Sequence, residues 1–303
     1  MPHVSAHLPG IPMRLLAVTA ALLLSSAASA QIAPECKGVN VPNDYSDIVQ
    51  QDFLMNYYAL ATTFSAIHGP IPHEPGGGAL GLDMVVMPPL GCEKRLAVGG
   101  TKTEDTNKTP IIPRPRVTFA LPALGPVLPW GGVAYVPPVK VFGTTNVIVS
   151  AEVGLSGRVG DTVQLGGRFH ATSQKSVGEF ATPFIKGDDA VDDMFVASTF
   201  GFDLMLGLDF DVITPFAAFG LTDASTFFYI GDDGVITNNY HPYFGPVFSL
   251  GAEGLVADHF RWGGEFYGAP GGYSLPDLEI ATEKGAARYG RMYTARFRFA
   301  YEF

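Results

Sequence analysis

The last eleven residues, 293–303, alternate without a break. Tyr293, Ala295, Phe297, Phe299, Tyr301 and Phe303 form one set; Thr294, Arg296, Arg298, Ala300 and Glu302 form the other. Successive side chains of a strand point to opposite faces. This strand therefore has one aromatic face and one face with three charges. A strand of that kind needs an apolar surrounding on one side and a polar one on the other, and this restricts the folds open to the whole chain.

The same alternation recurs upstream. Val147, Val149, Ala151, Val153 and Leu155 oppose Asn146, Ser150, Glu152 and Gly154; Val163, Leu165, Phe169 and Ala171 oppose Gln164, Arg168, His170 and Thr172. About ten such segments are expected, near 79–87, 114–122, 130–137, 143–156, 162–173, 194–206, 209–221, 243–255, 258–267 and 292–303. The outer set is aromatic near strand ends and aliphatic between, while the inner set carries both charge signs. That pattern predicts an all-β fold: a transmembrane antiparallel β-barrel with lipid outside and a polar lumen, closed because lipid cannot satisfy an open edge. Short connections such as "SGRVGD" and "GLD" alternate with long ones near 88–113, 174–193, 222–242 and 268–291. With both barrel termini in the periplasm, an even strand number puts every long loop outside.

Upstream of the barrel, Arg14, the apolar run Leu15–Leu24 and Ala28-Ser29-Ala30 read as a secretory signal peptide over 1–30. About 270 residues then remain, enough for one large domain: a segment 31–78 and a barrel 79–303. The net charge of −10 argues against a nucleic-acid partner. Val49, Phe53, Tyr57, Leu60, Phe64 and Ile67 recur at helical spacing, so a helix is expected over 47–67, capped by Asp47 and stopped by Gly69-Pro70. At 1.5 Å per residue it would be about 32 Å long, close to a barrel's height. Two placements fit it, a plug inside the lumen or a helix docked at the periplasmic mouth. If it descends through the lumen, Cys36 starts at the outer rim, where it can reach Cys92 as a disulfide.

Phe303, last in an aromatic run, together with the alternation of "RFRFAYEF", resembles the carboxyl-terminal signature of bacterial outer-membrane barrel proteins. The early segment is similar to small barrels of that class that carry an N-terminal helix. The resemblance implies that Phe303 is an assembly signal read by the barrel-assembly machinery, that outer-membrane lipid surrounds the wall, and that the protein resides in the bacterial outer membrane.

Inward positions expected to line the lumen are Asp83, Arg116, Glu152, Arg168, His170, Asp203, Glu253, Arg261, Glu265, Arg296 and Arg298, with Glu302 at the end. Near balance of sign favours a salt-bridge network over an ion filter. His170 and Thr172 share a face, but no G-x-S-x-G exists and no third acidic group is assignable, so no catalytic residue is expected and the protein is read as a non-enzyme. The His and Cys residues show no metal-ligand spacing, and no cofactor motif occurs. Two functions remain: passive transport of a small solute, or a structural or surface-interaction barrel, adhesin- or receptor-like, with a closed lumen. Deleting Phe303 should lower the yield of folded, heat-modifiable barrel in the outer membrane; unchanged assembly would count against the terminal-signal reading.

Overall fold

The computed structural model describes residues 47–88, 111–141, 144–178, 191–231, 234–257, 259–272 and 290–303. The signal segment and both cysteines, Cys36 and Cys92, lie outside the described residues. The described chain forms helix α1 (Asp47–Thr62) and strands β1 (Gly78–Val86), β2 (Ile111–Ala120), β3 (Leu128–Val141), β4 (Thr144–Val159), β5 (Val163–Gly178) and β6 (Asp193–Leu208). These are followed by β7 (Ile213–Ile230), β8 (Val235–Asn238), β9 (Tyr243–Ala257), β10 (Phe260–Ala269) and β11 (Met292–Glu302).

Every strand pairs antiparallel with its chain neighbours, apart from the short β8, which pairs back onto the end of β7. β9 therefore pairs with β7 directly. The first and last strands meet, with Ala79 opposite Glu302 and Val85 opposite Arg296, and this closes a ten-stranded barrel. The terminal backbone is part of that closure: Gly78 and Phe303 exchange both hydrogen bonds, at 3.2 and 2.9 Å. The short connections 121–127, 160–162 and 209–212 lie together with His259 at one end, here called the turn end; the opposite end is the loop end.

The alternation holds around the wall. In β4, Ile148, Ser150, Glu152, Gly154 and Ser156 are buried while Val149, Ala151, Val153 and Leu155 are exposed. Outward Phe169, Leu204, Leu250 and Phe299 are each 57–63% exposed. The aromatic residues are less confined to strand ends than expected. Phe169 and Phe202 sit near mid-strand with ring centroids 5.0 Å apart, because they face each other across β5 and β6 and such pairs stabilise a ladder.

The helix lies inside. Residues 52–57 and 59–70 are buried, and α1 enters from the loop end. There Asp52 accepts hydrogen bonds from the Tyr240 and His241 amides at 3.0 and 3.1 Å, and Tyr57 Oη donates to the Pro88 carbonyl at 2.5 Å. Below Thr62 the chain runs on, extended, to the turn end, where His73 Nδ1 lies 3.0 Å from Glu302. The plug placement is thus correct, while the expected helix end at 67 is not. The helix stops at Thr62 because Thr62 and Thr63 turn their hydroxyls back onto the Ala59 carbonyl and wall side chains take the carbonyls that follow. In lipid vesicles, Val149→Arg should cost about 2–4 kcal/mol and Val159→Arg, at the turn-end rim, about 0–1. Equal costs in reversible unfolding would contradict the outward apolar belt.

Candidate functional site: the plugged lumen

The interior is layered. At the loop end, α1 contributes Phe53, Met55, Tyr57, Ala59 and Leu60 to an apolar cluster with Met87, Phe195, Val247, Tyr267 and Met292 of the wall. At the turn end, Ala66 joins Ala120, Leu128, Trp130, Met205 and Ala218. Between the two lies an ionic layer, built by inward positions of β1, β2, β4, β5, β6, β10 and β11.

In that layer the wall arginines hold the plug by its backbone. Arg296 donates to the Leu60 carbonyl at 3.1 Å and the Thr63 carbonyl at 2.8 Å. Arg114 takes Thr62, Arg168 takes Phe64 and Arg116 takes Ser65, each at 2.9 Å. Acceptors on the wall serve the plug's amides: Glu265 receives Ile67 N at 3.2 Å, Glu253 receives Gly69 N at 2.7 Å, and Gln164 receives Ile71 N at 3.4 Å. Arg114 and Arg116 also lie over the Phe64 ring, 4.7 and 4.1 Å from its centroid, a cation–π arrangement. Ile67 has a φ of +53°, a backbone state costing about 1–3 kcal/mol for a side chain of this kind. It is held there by Glu265 and by the close wall at Gly263, where a Cβ would run into the Ile67 carbonyl.

The wall charges also pair with one another. Arg116 bonds Asp83 at 3.1 Å and also bonds Glu152; Arg168 bonds Glu152 at 2.9 Å and also reaches Asp203. Arg298 reaches Thr118 Oγ1 at 2.7 Å and lies 4.0 Å from Asp83. At the turn-end mouth Arg261 joins Glu253 at 3.1 Å to Glu302 at 2.7 Å. All eleven lumen candidates therefore face inward, with Arg261 nearest water. His170 lies 3.4 Å from Asp203, an acid on the neighbouring strand that spacing did not reveal. Thr172 instead shares a hydrogen bond with Ser150 at 3.0 Å, so the two do not form a nucleophile–base pair.

Sequence reasoning missed Arg114, although it stands two residues before Arg116 and so on the same face. It also missed His68 and His73, whose positions depend on the path of the plug. Inward glycines bring the wall close to the plug. They make room for the extended segment (Gly166 and Gly207 against Pro70, Gly263 against Ile67) and for the Trp130 ring at Gly154, more than for the helix.

Below the plug a cavity of about 360 Å³ opens at the turn end, lined among others by His73, Arg158, Gln164, Asp209 and Arg261. Partial burial pushes the Asp209 carboxyl up, but hydrogen bonds from Arg158, the Asp211 amide and Gln164 outweigh it and hold its pKa below the usual range.

No family model matches the chain, and no curated protein does. Among solved structures it is similar to the Pseudomonas putida toluene transporter TodX (11% identity, 83% of this chain and 75% of that one, TM-score 0.36). It is also similar to the translocator domain of the autotransporter NalP from Neisseria meningitidis (10% identity, 76% of this chain and 89% of that one, TM-score 0.36). Likeness at this level is too loose to carry a shared function.

Replacing Arg296 by Met removes two charge-assisted bonds to the plug. Amide exchange over 60–71 should then report a local stability lower by about 2–3 kcal/mol. Unchanged exchange would show that the carbonyl contacts do not hold the plug.

Proposed function

We infer that this chain is a bacterial outer-membrane β-barrel, not an enzyme, that conducts a small solute passively once its plug is displaced and is shut at rest. The continuous outward belt from Leu80 to Phe303 suits lipid, and the loop end, whose strands are joined by the longer stretches of sequence, suits the cell exterior. Phe303, outward and 72% exposed at the closing ladder, suits recognition by the barrel-assembly machinery.

One observation carries the transport reading. The wall's ion pairs run from strand to strand, whereas plug residues 53–72 include no Asp, Glu, Lys or Arg. Leaving the lumen, the plug would uncover a polar, largely self-paired wall that water can fill. A barrel stabilised only by its contents would more simply be filled with apolar side chains, since buried ion pairs add little stability over well-packed hydrophobic residues. The alternative is a closed scaffold for surface interaction. It is favoured by the number of carbonyls the arginines fix.

Planar-bilayer recording separates the two. The full chain should be silent or nearly so, and a chain lacking residues 47–72 should show sustained conductance steps. Silence from a folded, heat-modifiable barrel without its plug would leave only the scaffold.

A further inference from the structure

The ladder between β2 and β3 stops short. Arg116–Ala120 pair with Trp130–Ala134, five residue pairs, whereas β4 and β5 exchange sixteen. Towards the loop end, Ile111–Pro115 remain paired with β1, and β3 remains paired with β4 across a bulge between Val136 and Val139. The edges that β2 and β3 turn towards each other there carry no ladder among the described residues.

Prolines stand on that seam. Ala120 N bonds Gly77 O at 2.9 Å, while Leu121 N bonds Pro129 O at 2.8 Å. Even residues of β2 therefore turn their backbone groups to β1, and odd residues turn them to β3. Pro113 and Pro115 are odd. On β3 the odd residues up to Tyr135 face β2, and Pro137 follows inside the bulge. Proline has no N–H, and an unpaired N–H is costly in hydrocarbon. At two places on β2 where a ladder would need a donor, none exists, and Pro137 withholds a third donor in the adjoining bulge, so the edge can stay unzipped in lipid at reduced cost.

What lies behind the seam is also specific. Ile112 packs against the apolar cluster around α1. Arg114 reaches behind β3 to Ser150 on β4 at 3.3 Å while holding the Thr62 carbonyl. It is fully buried, yet its Nε and Nη2 have no hydrogen-bond partner, Nη2 lying 3.9 Å from the Asp83 carboxylate. The rim outside is apolar, with Ile111, Val133 and Tyr135 exposed.

We propose that the β2–β3 seam is a lateral portal through which small uncharged apolar molecules pass between the bilayer and the apolar layer around α1, with Arg114 as its inner bolt. The proposal rests on reading the protein as an outer-membrane barrel with a displaceable plug. An ion would lose its hydration at this rim; an apolar molecule would not, and one hydrogen-bond acceptor on it could take the spare Arg114 donors. Because Arg114 holds both Thr62 and Ser150, loosening the plug also loosens the seam.

The test uses the full chain expressed in cells whose outer leaflet is lipopolysaccharide, with the uncharged dye N-phenyl-1-naphthylamine as probe. Expression should raise dye uptake severalfold over cells without the protein. Replacing Pro113, Pro115 and Pro137 by Val restores the missing donors and should return uptake to the background rate, while conductance of the chain lacking 47–72 survives the same three changes. Wild-type uptake by the triple variant, with its β2–β3 amides protected from exchange, would overturn the portal. So would background uptake by the wild-type chain when the plug-deleted chain conducts, and the channel reading would then stand alone. If neither dye nor ions pass, both readings fail. Should the triple variant not assemble, Pro115→Cys with Tyr135→Cys places two thiols across the seam: uptake blocked when oxidised and restored on reduction supports the portal, and equal uptake in both states overturns it.

Discussion

A peptide carbonyl packed inside a closed barrel needs a donor from the wall or from its own chain, and the plug of this protein presents five that the wall serves among the six residues from Leu60 to Ser65. A helix end leaves its last carbonyls unpaired and slightly negative. Here four arginines on β2, β5 and β11 satisfy the carbonyls of residues 60, 62, 63, 64 and 65. Lysine would not serve equally. The guanidinium is a rigid fork of donors, and Arg296 uses two of its nitrogens on two carbonyls one helical turn apart. Four buried cations demand buried anions, and Asp83, Glu152, Asp203, Glu253 and Glu265 follow from that demand. Two of these also receive amides of the plug, so the wall complements the plug's backbone more than its side chains.

Arginine also answers a problem of space. A helix with its side chains is about 10–12 Å across, and the middle of a ten-stranded lumen cannot hold that cylinder together with several inward guanidinium groups. The helix persists where the wall offers Met87, Phe195, Val247 and Met292 and ends where the arginines begin. The extended chain that follows is thinner. It leaves room for the ionic layer, and it exposes the carbonyls and amides that the layer then binds.

Much of the fold was legible because a barrel repeats one two-residue rule around its wall. Ten strands, their inward sets and the closing pair of first and last strands all follow from alternation, and so does Arg114, which stands first in the segment expected at 114–122 and shares a face with Arg116. Pro113 hid the true start of β2 at Ile111, since prolines usually argue against a strand interior. The short β8 was missed because "VITN" is four residues with no partner visible in sequence. The site was less legible for a different reason. The partners of Arg114, Arg116, Arg168 and Arg296 include main-chain oxygens, which every residue carries and no sequence marks. Inward charges could be enumerated and balanced, but the balance suggested a wall paired only with itself. The helix end shows the same blindness: Gly69-Pro70 is a strong stop signal, yet Thr62 and Thr63, with the arginines waiting below, act seven residues earlier.

The prolines of β2 and β3 then acquire a common explanation with the arginines. Elsewhere in the wall each strand satisfies its neighbour over seven or more residue pairs, and the plug is satisfied by side chains. At the loop-end half of the β2–β3 seam neither solution applies among the described residues: no ladder joins the two edges, and Arg114, buried behind them, is committed to Thr62 and Ser150. Removing donors from the edge is the remaining way to lower the cost of an unpaired backbone in an apolar medium. A wall whose only task was to be closed would gain from five more residue pairs at this seam, and β-branched residues at 113, 115 and 137 would supply them. Pro113 and Pro115 on the edge that faces the gap, with Pro137 in the bulge beside it, instead keep it open, and the place they keep open is the one that Arg114 ties to the plug.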